Sequence, residues 1–238
     1  MLQVLFTPIE THPDSGFGIM AWSFHEAAKK LENPTEGKAS PVLPHLPITF
    51  LYRHSIELYL KSLIVLLHRY FSIPFRPGGS CDDEPQIQTQ GRWKRMYATH
   101  SVKELFDYLI ILYILQKEYI EKKTNTEWRL LSDLGKFIDV IEKTDRNGTF
   151  FRYPDTSVGD ESKKSDMKPI EVDELLELNK LSKGSISLIV DDGEGNILRC
   201  FRSDKSNPIQ TELDCLKATI ERLSCLHIAL RMRFFDGR

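Results

Sequence analysis

The sequence lacks the short motifs that identify common metal-binding and enzyme classes. Its four cysteines form no C-x-x-C pair, so the spacing of a zinc site is absent. It also has no glycine-rich phosphate-binding loop, no H-E-x-x-H helix and no G-x-S-x-G nucleophile turn. We therefore expect neither a metal nor a cofactor, and any activity must come from side chains that the fold brings together.

Long apolar runs and a large net charge are absent as well. The most apolar run, residues 108–115, has 8 residues, far short of the roughly 20 that a membrane-spanning helix needs. The first residues show no basic segment followed by an apolar one, so we expect no signal peptide. A formal net charge of -2 gives no overall attraction to nucleic acid, which would have to bind a local basic patch. These features predict a cytoplasmic protein with reduced cysteines and no membrane contact.

Apolar residues recur at helical spacing along most of the chain, which predicts a mainly α protein with one small C-terminal β-hairpin. Ser101 and Glu104 have the spacing of a capping box, so a helix should begin just after His100. Residues 72–98 are expected to form a long loop. The predicted helices cover residues 16–31, 47–71, 101–123, 126–143, 170–181 and 208–232, and the predicted hairpin covers residues 185–201. We expect a helical domain at residues 1–165, and a helix, the hairpin and a final helix at residues 166–238 that pack on it as one compact unit.

The long helix predicted at residues 47–71 contains the stretch "FLYRHSIELYLKSLI". At 100° per residue, an arc of about 100° holds five polar side chains: Arg53, His54, Glu57, Lys61 and His68. The rest of the circumference is almost entirely apolar, which is typical of a helix at the centre of a protein. Two interpretations stay open. The arc is either the one face left for water, with ordinary i,i+4 ion pairs, or a functional site that faces a cleft or a partner subunit.

Two further clusters combine cations with aromatic side chains. The segment "GRWKRMYATH" carries Arg92 and Lys94 beside aromatic rings, a combination that can hold phosphate and stack on bases. A partly ordered loop anchored by its aromatic rings is the alternative. His100 ends this segment at the positive end of a helix dipole, which favours a neutral imidazole, although a capping role is also open. In "FFRYP", Arg152 either stacks on its aromatic neighbours or binds a phosphate.

The fragments "FLYRHSIELYLKSLI", "THSVKELFDYL" and "FRYPDTSVG" together resemble the HEPN superfamily, in particular its abortive-infection-like branch. In that branch a helix similar to R-H-x-x-E-L-x-L-K precedes a helix opened by a G-H-x-L-like element. The resemblance covers about residues 15–160. It implies an up-and-down helical bundle that often dimerises through its active-site face. Many members are metal-independent endoribonucleases of toxin or phage-defence systems. The expected partners are therefore RNA, a second copy of the chain and an antitoxin or regulatory protein.

The usual HEPN motif is R-x(4–6)-H, and Arg95 with His100 meets its spacing. The alternative is a spatial pairing in which Arg53 or His54 of the long helix faces His100. Metal-free RNA cleavage needs a base, an acid and cations near the reacting phosphate, so His100 is the expected base or acid. Arg53 and Arg95 would stabilise the phosphate charge, and Glu57 would orient an Arg or a His. The expected nucleic-acid ligands are Lys61, Arg92, Lys94 and Arg152.

The sequence thus predicts a metal-independent endoribonuclease of a bacterial stress or phage-defence system, acting as a homodimer. The rival prediction is a non-catalytic HEPN-type module that binds a nucleotide, a nucleic acid or a partner protein through the same arc without turnover. The position of His100 relative to Arg53 and Arg95 bears on this choice, because an enzyme of this kind needs His100 on the side of the polar arc.

Overall fold

The computed structural model describes residues 7–33, 45–125, 127, 130–146, 167–174, 187–203 and 210–235. Within these residues the chain is predominantly helical, as expected, with short antiparallel strands in two small sheets. Of the helix predicted at residues 170–181, residues 172–174 are helical and residues 175–181 lie outside the described part. The other predicted helices correspond to α1 (Phe17–Glu32), α2 (His45–Tyr70), α3 (Val102–Thr124), α4 (Leu130–Thr144) and α5 (Gln210–Phe234).

The chain divides into two compact units, of which the first comprises Met1–Tyr153 and Thr211–Arg238 and the second Pro154–Gln210. The first unit therefore contains α1 to α4 together with nearly all of α5, although the second unit lies between them in the sequence. Among the described residues, no helix is both long enough and apolar enough to cross a membrane.

The helix α2 forms the core of the first unit. It packs against both α1 and α3, and α3 packs against α4. Leu60, Leu63 and Ile64 have no solvent exposure, and burial extends around almost the whole helix after its first turn. The prediction of a central helix is confirmed, because a helix that is apolar around most of its circumference is stable only where neighbours cover it on several sides.

The segment before α1 is anchored by a buried carboxylate. Asp14 accepts hydrogen bonds from the N–H groups of Gly16 and Gly18 at 3.1 and 2.7 Å, and from Ser62 Oγ of α2 at 2.6 Å. His227 Nε2 of α5 lies 3.4 Å from the same carboxylate. Burial alone would raise the pKa of Asp14, but the hydrogen bonds from His227 and Ser62 hold it well below its ordinary value. One ionised side chain thus joins the N-terminal segment, α2 and α5.

A hairpin occupies part of the segment that the sequence predicts as loop. The strand β1 (Gln86–Thr89) pairs antiparallel with β2 (Arg92–Arg95). Gln90 and Gly91 form the two-residue turn between them, and both have a left-handed φ, of 49° and 74°. The loop prediction was wrong because two-residue turns of this kind are recognised by Asn-Gly or Asp-Gly, and a glutamine at positive φ gives no such signal. Ile87 is fully buried and fixes the hairpin to the helices.

The second unit contains a three-stranded antiparallel sheet with the order β3-β5-β4, formed by β3 (Met167–Ile170), β4 (Ser187–Asp191) and β5 (Ile197–Ser203). The strand β4 and most of β5 lie within the segment predicted as a hairpin, and β5 continues two residues beyond it. The strand β3 was not predicted, because Pro169 is typical of loops. Its position at the edge of the sheet explains how proline is accommodated, since the missing N–H need not face a neighbouring strand.

Candidate active site

The polar arc of α2 is buried. Arg53 and Glu57 are 1% exposed, Lys61 is 3% exposed and His68 is 0% exposed. The interpretation of the arc as a face left for water is therefore wrong. Groups from the turn before α3, from α3 itself and from the end of α4 contact it instead. Buried charges are stable only when they are paired, so the partners of these side chains decide what the arc does.

Glu57 is the centre of a buried charge network. Its Oε2 accepts a hydrogen bond from Arg53 Nη1 at 2.5 Å, and its Oε1 accepts one from Lys61 Nζ at 2.8 Å. Both cations are four residues from Glu57 on α2, so helical geometry places them beside it. His100 Nδ1 lies 3.0 Å from the same Oε1. The structure thus brings His100 together with three residues of the predicted arc.

The start of α3 holds His100 in this position. Ser101 is the N-cap of α3, as predicted, and its Oγ accepts a hydrogen bond from the Glu104 N–H at 3.1 Å. The same Oγ donates to Glu142 Oε1 of α4 at 2.7 Å. The backbone carbonyl of His100 accepts a hydrogen bond from Arg53 Nη2. Both the main chain and the ring of His100 are therefore fixed against α2.

The charges of this network balance when the imidazole of His100 is neutral. Arg53 and Lys61 are cations, Glu57 and Asp145 are anions, and Arg53 Nε lies 3.3 Å from Asp145 Oδ2. Burial alone would raise the pKa of Glu57, but the charges of Lys61 and Arg53 lower it below its ordinary value of 4.5. An ionised carboxylate only accepts hydrogen bonds, so His100 Nδ1 must carry the hydrogen. In the neutral tautomer that makes this contact, the lone pair is on Nε2, in a side chain that is 44% exposed.

Two other predicted catalytic residues make their contacts elsewhere. The ring of His54 packs against aromatic rings of α1 and α2, at 4.7 and 5.8 Å between centroids. Arg95 is 69% exposed, and its Nη2 lies 2.6 Å from Glu84 Oε1. Of the two pairings that the sequence left open, the structure shows Arg53 in contact with His100.

The predicted nucleic-acid ligands differ in their access to solvent. Lys61 cannot contact a phosphate, contrary to the prediction, because it is 3% exposed and donates to the central carboxylate. Arg92 and Lys94 lie on β2 and are exposed, and Lys94 Nζ lies 2.9 Å from Glu104 Oε1. Arg152 lies outside the described residues. The exposed part of the basic segment is therefore β2, which ends five residues before His100.

His68, the remaining residue of the arc, has a structural role. Its Nδ1 lies 2.9 Å from the Ile73 carbonyl oxygen and its Nε2 lies 3.0 Å from Tyr108 Oη. Burial lowers the pKa of His68 and raises the pKa of Tyr108 to about 12, so the ring is neutral and the hydroxyl is protonated. His68 therefore donates to the carbonyl and accepts from the tyrosine, which uses both of its nitrogens.

Asp145 is a site residue that sequence reasoning missed. It is 3% exposed and directly follows the last residue of α4. An acidic residue at the C-terminal end of a helix meets the negative end of the helix dipole, so it needs a cation nearby. This mismatch is the signal that could have singled out Asp145. The sequence still could not have named Arg53 as the cation, because the two residues are distant in the chain.

A groove of about 660 Å³ begins beside the α3 cap and is lined by residues of the β1–β2 turn, α3 and α4. Ser101, the neighbour of His100, is one of its lining residues. Two of its carboxylates, Asp107 and Asp139, lie 2.9 and 3.2 Å from Lys103 Nζ. Its volume falls in the range of small-molecule and nucleotide sites.

Comparison of the chain with protein-family models, curated proteins and solved structures gave no match. The resemblance to the HEPN superfamily therefore rests on the sequence fragments, and the case for a function rests on the geometry of the network. In the part of the chain that the structure describes, no group of three or more His, Cys, Asp or Glu side chains could hold a metal ion.

Proposed function

We propose that this chain is a metal-independent endoribonuclease of the HEPN type, belonging to a bacterial stress or phage-defence system, in which His100 exchanges protons with the RNA. The observation that carries the proposal is the 3.0 Å contact between His100 Nδ1 and Glu57 Oε1, in an imidazole that is 44% exposed. A buried carboxylate that holds one nitrogen of an imidazole fixes the tautomer and leaves the other nitrogen free to accept a proton.

The chemistry that this arrangement supports is attack by a ribose 2′-hydroxyl on the adjacent phosphorus. His100 Nε2 takes the hydroxyl proton, the 2′ oxygen bonds to phosphorus, and the bond to the 5′ oxygen breaks. The 5′ oxygen leaves with a proton, and a 2′,3′-cyclic phosphate remains. Glu57 stabilises the imidazolium that forms in the first step. In the homodimer that the HEPN resemblance implies, a second His100, in its protonated form, would supply the proton for the leaving oxygen.

The residues of the predicted catalytic set take different roles in this proposal. Arg53 is 1% exposed, so it holds Glu57 and the His100 carbonyl and does not reach the phosphate. The exposed cations of β2 are Arg92, Lys94 and Arg95, and these are available to RNA. The pair of Lys94 with Glu104 is a surface ion pair, which contributes at most about 1 kcal/mol and exchanges readily for a phosphate.

A non-catalytic module that binds nucleic acid is the second candidate. The observation that favours it is the burial of Arg53 and Lys61. Of the five side chains Arg53, Glu57, Lys61, Asp145 and His100, only His100 is exposed to solvent. In that case β2 would bind the phosphates, and the network would stabilise the fold around it.

The test is cleavage of end-labelled single-stranded RNA in excess EDTA. We expect the wild type to cut, and His100→Gln to lose at least about 100-fold in rate, because general-base catalysis contributes roughly that much. His45→Gln is the matched control, since His45 is the half-buried first residue of α2 and lies outside the network. It should cut like the wild type.

Fluorescence anisotropy with the same RNA separates the two candidates. Binding without cleavage by the wild type supports the non-catalytic module, and Arg92→Ala should weaken binding in either case. Equal cleavage by the wild type and His100→Gln, or cleavage that EDTA abolishes, would contradict the proposed mechanism.

A further inference from the structure

Asp145 completes the buried network from the end of α4. Its backbone N–H donates to the Ile141 carbonyl at 2.8 Å, so the residue continues the hydrogen bonding of the helix. Its side chain is buried, and Oδ2 lies 3.3 Å from Arg53 Nε. The position of this carboxylate is thus set by the backbone of α4, and the carboxylate faces Arg53.

Arg53 directs each edge of its guanidinium at a different segment of the chain. Nη1 donates to Glu57 on α2, and Nη2 donates to the carbonyl of His100 before α3. Nε forms an ion pair with Asp145 after α4, without hydrogen-bond geometry. The guanidinium is planar and its donors have fixed directions, so a partner on one edge constrains the other two. Because Arg53 is 1% exposed, its protein partners, and not bulk water, hold the guanidinium in place.

We propose that Asp145 is a positioning residue for His100 and acts through Arg53; this inference rests on the proposed function of His100. Without the carboxylate, two buried cations, Arg53 and Lys61, share the single anion Glu57. The guanidinium then turns toward Glu57, competes with the imidazole for that carboxylate and withdraws from the His100 carbonyl. Asp145 has no contact with the substrate in this arrangement, so its effect is on the orientation of the imidazole.

Two substitutions at Asp145 and one control test the proposal. Asp145→Ala should lower kcat about 10- to 100-fold with KM within about twofold, which is the range for loss of an outer partner that orients a metal-bound imidazole. Asp145→Asn keeps the size and polarity of the side chain beside Arg53 Nε, although not its charge, and should lose less. Asp133→Ala is the matched control, because Asp133 is an exposed carboxylate on the same helix and is not among the residues that line the groove. It should keep the wild-type kcat.

Proton NMR provides a readout that a purely structural role would leave unchanged. An imidazole N–H bonded to a buried carboxylate exchanges slowly and gives a downfield signal, which is assigned to His100 by its loss in His100→Gln. We expect this signal in the wild type and in Asp133→Ala, a shifted signal in Asp145→Asn, and loss or broadening in Asp145→Ala.

The two readouts distinguish failure of this inference from failure of the proposed function. If the wild type does not cut RNA but the NMR signal is lost in Asp145→Ala, the ribonuclease proposal fails and the positioning role stands. An unchanged signal with an unchanged kcat in Asp145→Ala, whether or not the melting temperature falls, overturns the positioning role. If Asp145→Ala does not fold, Asp145→Asn decides: the same signal position and kcat as the wild type overturn the role.

Discussion

At the scale of single residues, Glu57 determines whether the buried network is stable. It is 1% exposed and lies within hydrogen-bond distance of Arg53, Lys61 and His100. Taking a carboxylate out of water costs several kcal/mol, and only close partners offset that cost. The same partners would in turn be left as buried, unpaired groups if the carboxylate were removed.

We therefore expect Glu57→Gln to lower the free energy of unfolding by about 3–5 kcal/mol at about pH 7, the usual cost of breaking a buried ion pair. Because the pKa of Glu57 in the folded state is below 4.5, its carboxylate contributes stability that is fully present above that pH. The contribution is lost as the pH falls through the folded-state value. Urea unfolding at about pH 7 and about pH 3.5 should show a smaller difference between wild type and variant at the lower pH.

Glu26→Gln is the control for this prediction. Glu26 lies on α1 and pairs with Lys29 at 3.1 Å, with side-chain exposures of 37% and 49%. An exposed pair of this kind changes stability by about 0.5 kcal/mol or less. A difference between wild type and Glu57→Gln that is equally large at both pH values would show that the loss does not come from the ionised carboxylate.

The sequence predicted part of this network because a helix places residues four apart side by side. That periodicity places Arg53, Glu57 and Lys61 beside one another. Their burial does not follow from it, because burial depends on which elements cover the arc. The contact of His100 remained an open alternative for the same reason, and Asp145 could not be connected to Arg53 without the packing of α4.

At the scale of secondary-structure elements, local signals located the helices better than the strands. Ser101 was predicted as the N-cap of α3 because capping depends on residues three positions apart. The hairpin of β1 and β2 was missed because each strand has only four residues and the turn contains Gln90 at positive φ. Short strands are stabilised mainly by packing, here of Ile87, and packing is not a local property of the sequence.

Two helical glycines differ in the space that a Cβ atom would have. We therefore expect alanine to change the free energy of unfolding in opposite directions at these positions. A Cβ at Gly18 of α1 would lie 2.4 Å from His227 Nε2 and 2.5 Å from Asp14 Oδ2. Gly18→Ala should therefore cost about 1–3 kcal/mol through overpacking. A Cβ at Gly135 of α4 would have Phe106 Cε1 at 4.0 Å as its nearest neighbour. Gly135→Ala should gain about 0.5–1 kcal/mol from helix propensity.

Chemical unfolding of the two variants measures both changes against the same wild type. The pair controls for the general effect of Gly→Ala in a helix, because that effect is common to both positions. Stabilisation by Gly18→Ala would mean that Asp14 and His227 do not enclose Gly18 as tightly as the structure shows.

At the scale of the whole molecule, the first unit is built from two segments that are separated in the chain. The contact of His227 on α5 with Asp14 before α1 is one of the links between them. The amphipathic pattern of α5 predicted a buried face, but a pattern specifies only which residues are buried and not what covers them. The final helix was expected to pack on the helical domain, but the residues that it contacts there could not be derived from the pattern.

Buried neutral histidines should make this unit sensitive to mild acid. His25 and His68 are 4% and 0% exposed, and burial lowers the pKa of each below 6.5. As the pH falls below about 6.5, the unfolded chain binds these protons while the folded chain does not. The free energy of unfolding should then fall by up to about 1.4 kcal/mol per pH unit for each histidine. Above about pH 6.5 the two histidines should not make the free energy of unfolding depend on pH.

His68→Gln tests this linkage through the slope of stability against pH between about pH 7 and about pH 5.5. Gln can still donate and accept a hydrogen bond but does not titrate, so the slope should fall to about half while the contribution of His25 remains.

Ile64→Val is the control, because it lowers stability by about 0.5–1.5 kcal/mol in the same helix without removing a titratable group. Its curve should be displaced downward with the wild-type slope. A wild-type slope in His68→Gln would mean that His68 takes up its proton in the folded state, which its burial opposes.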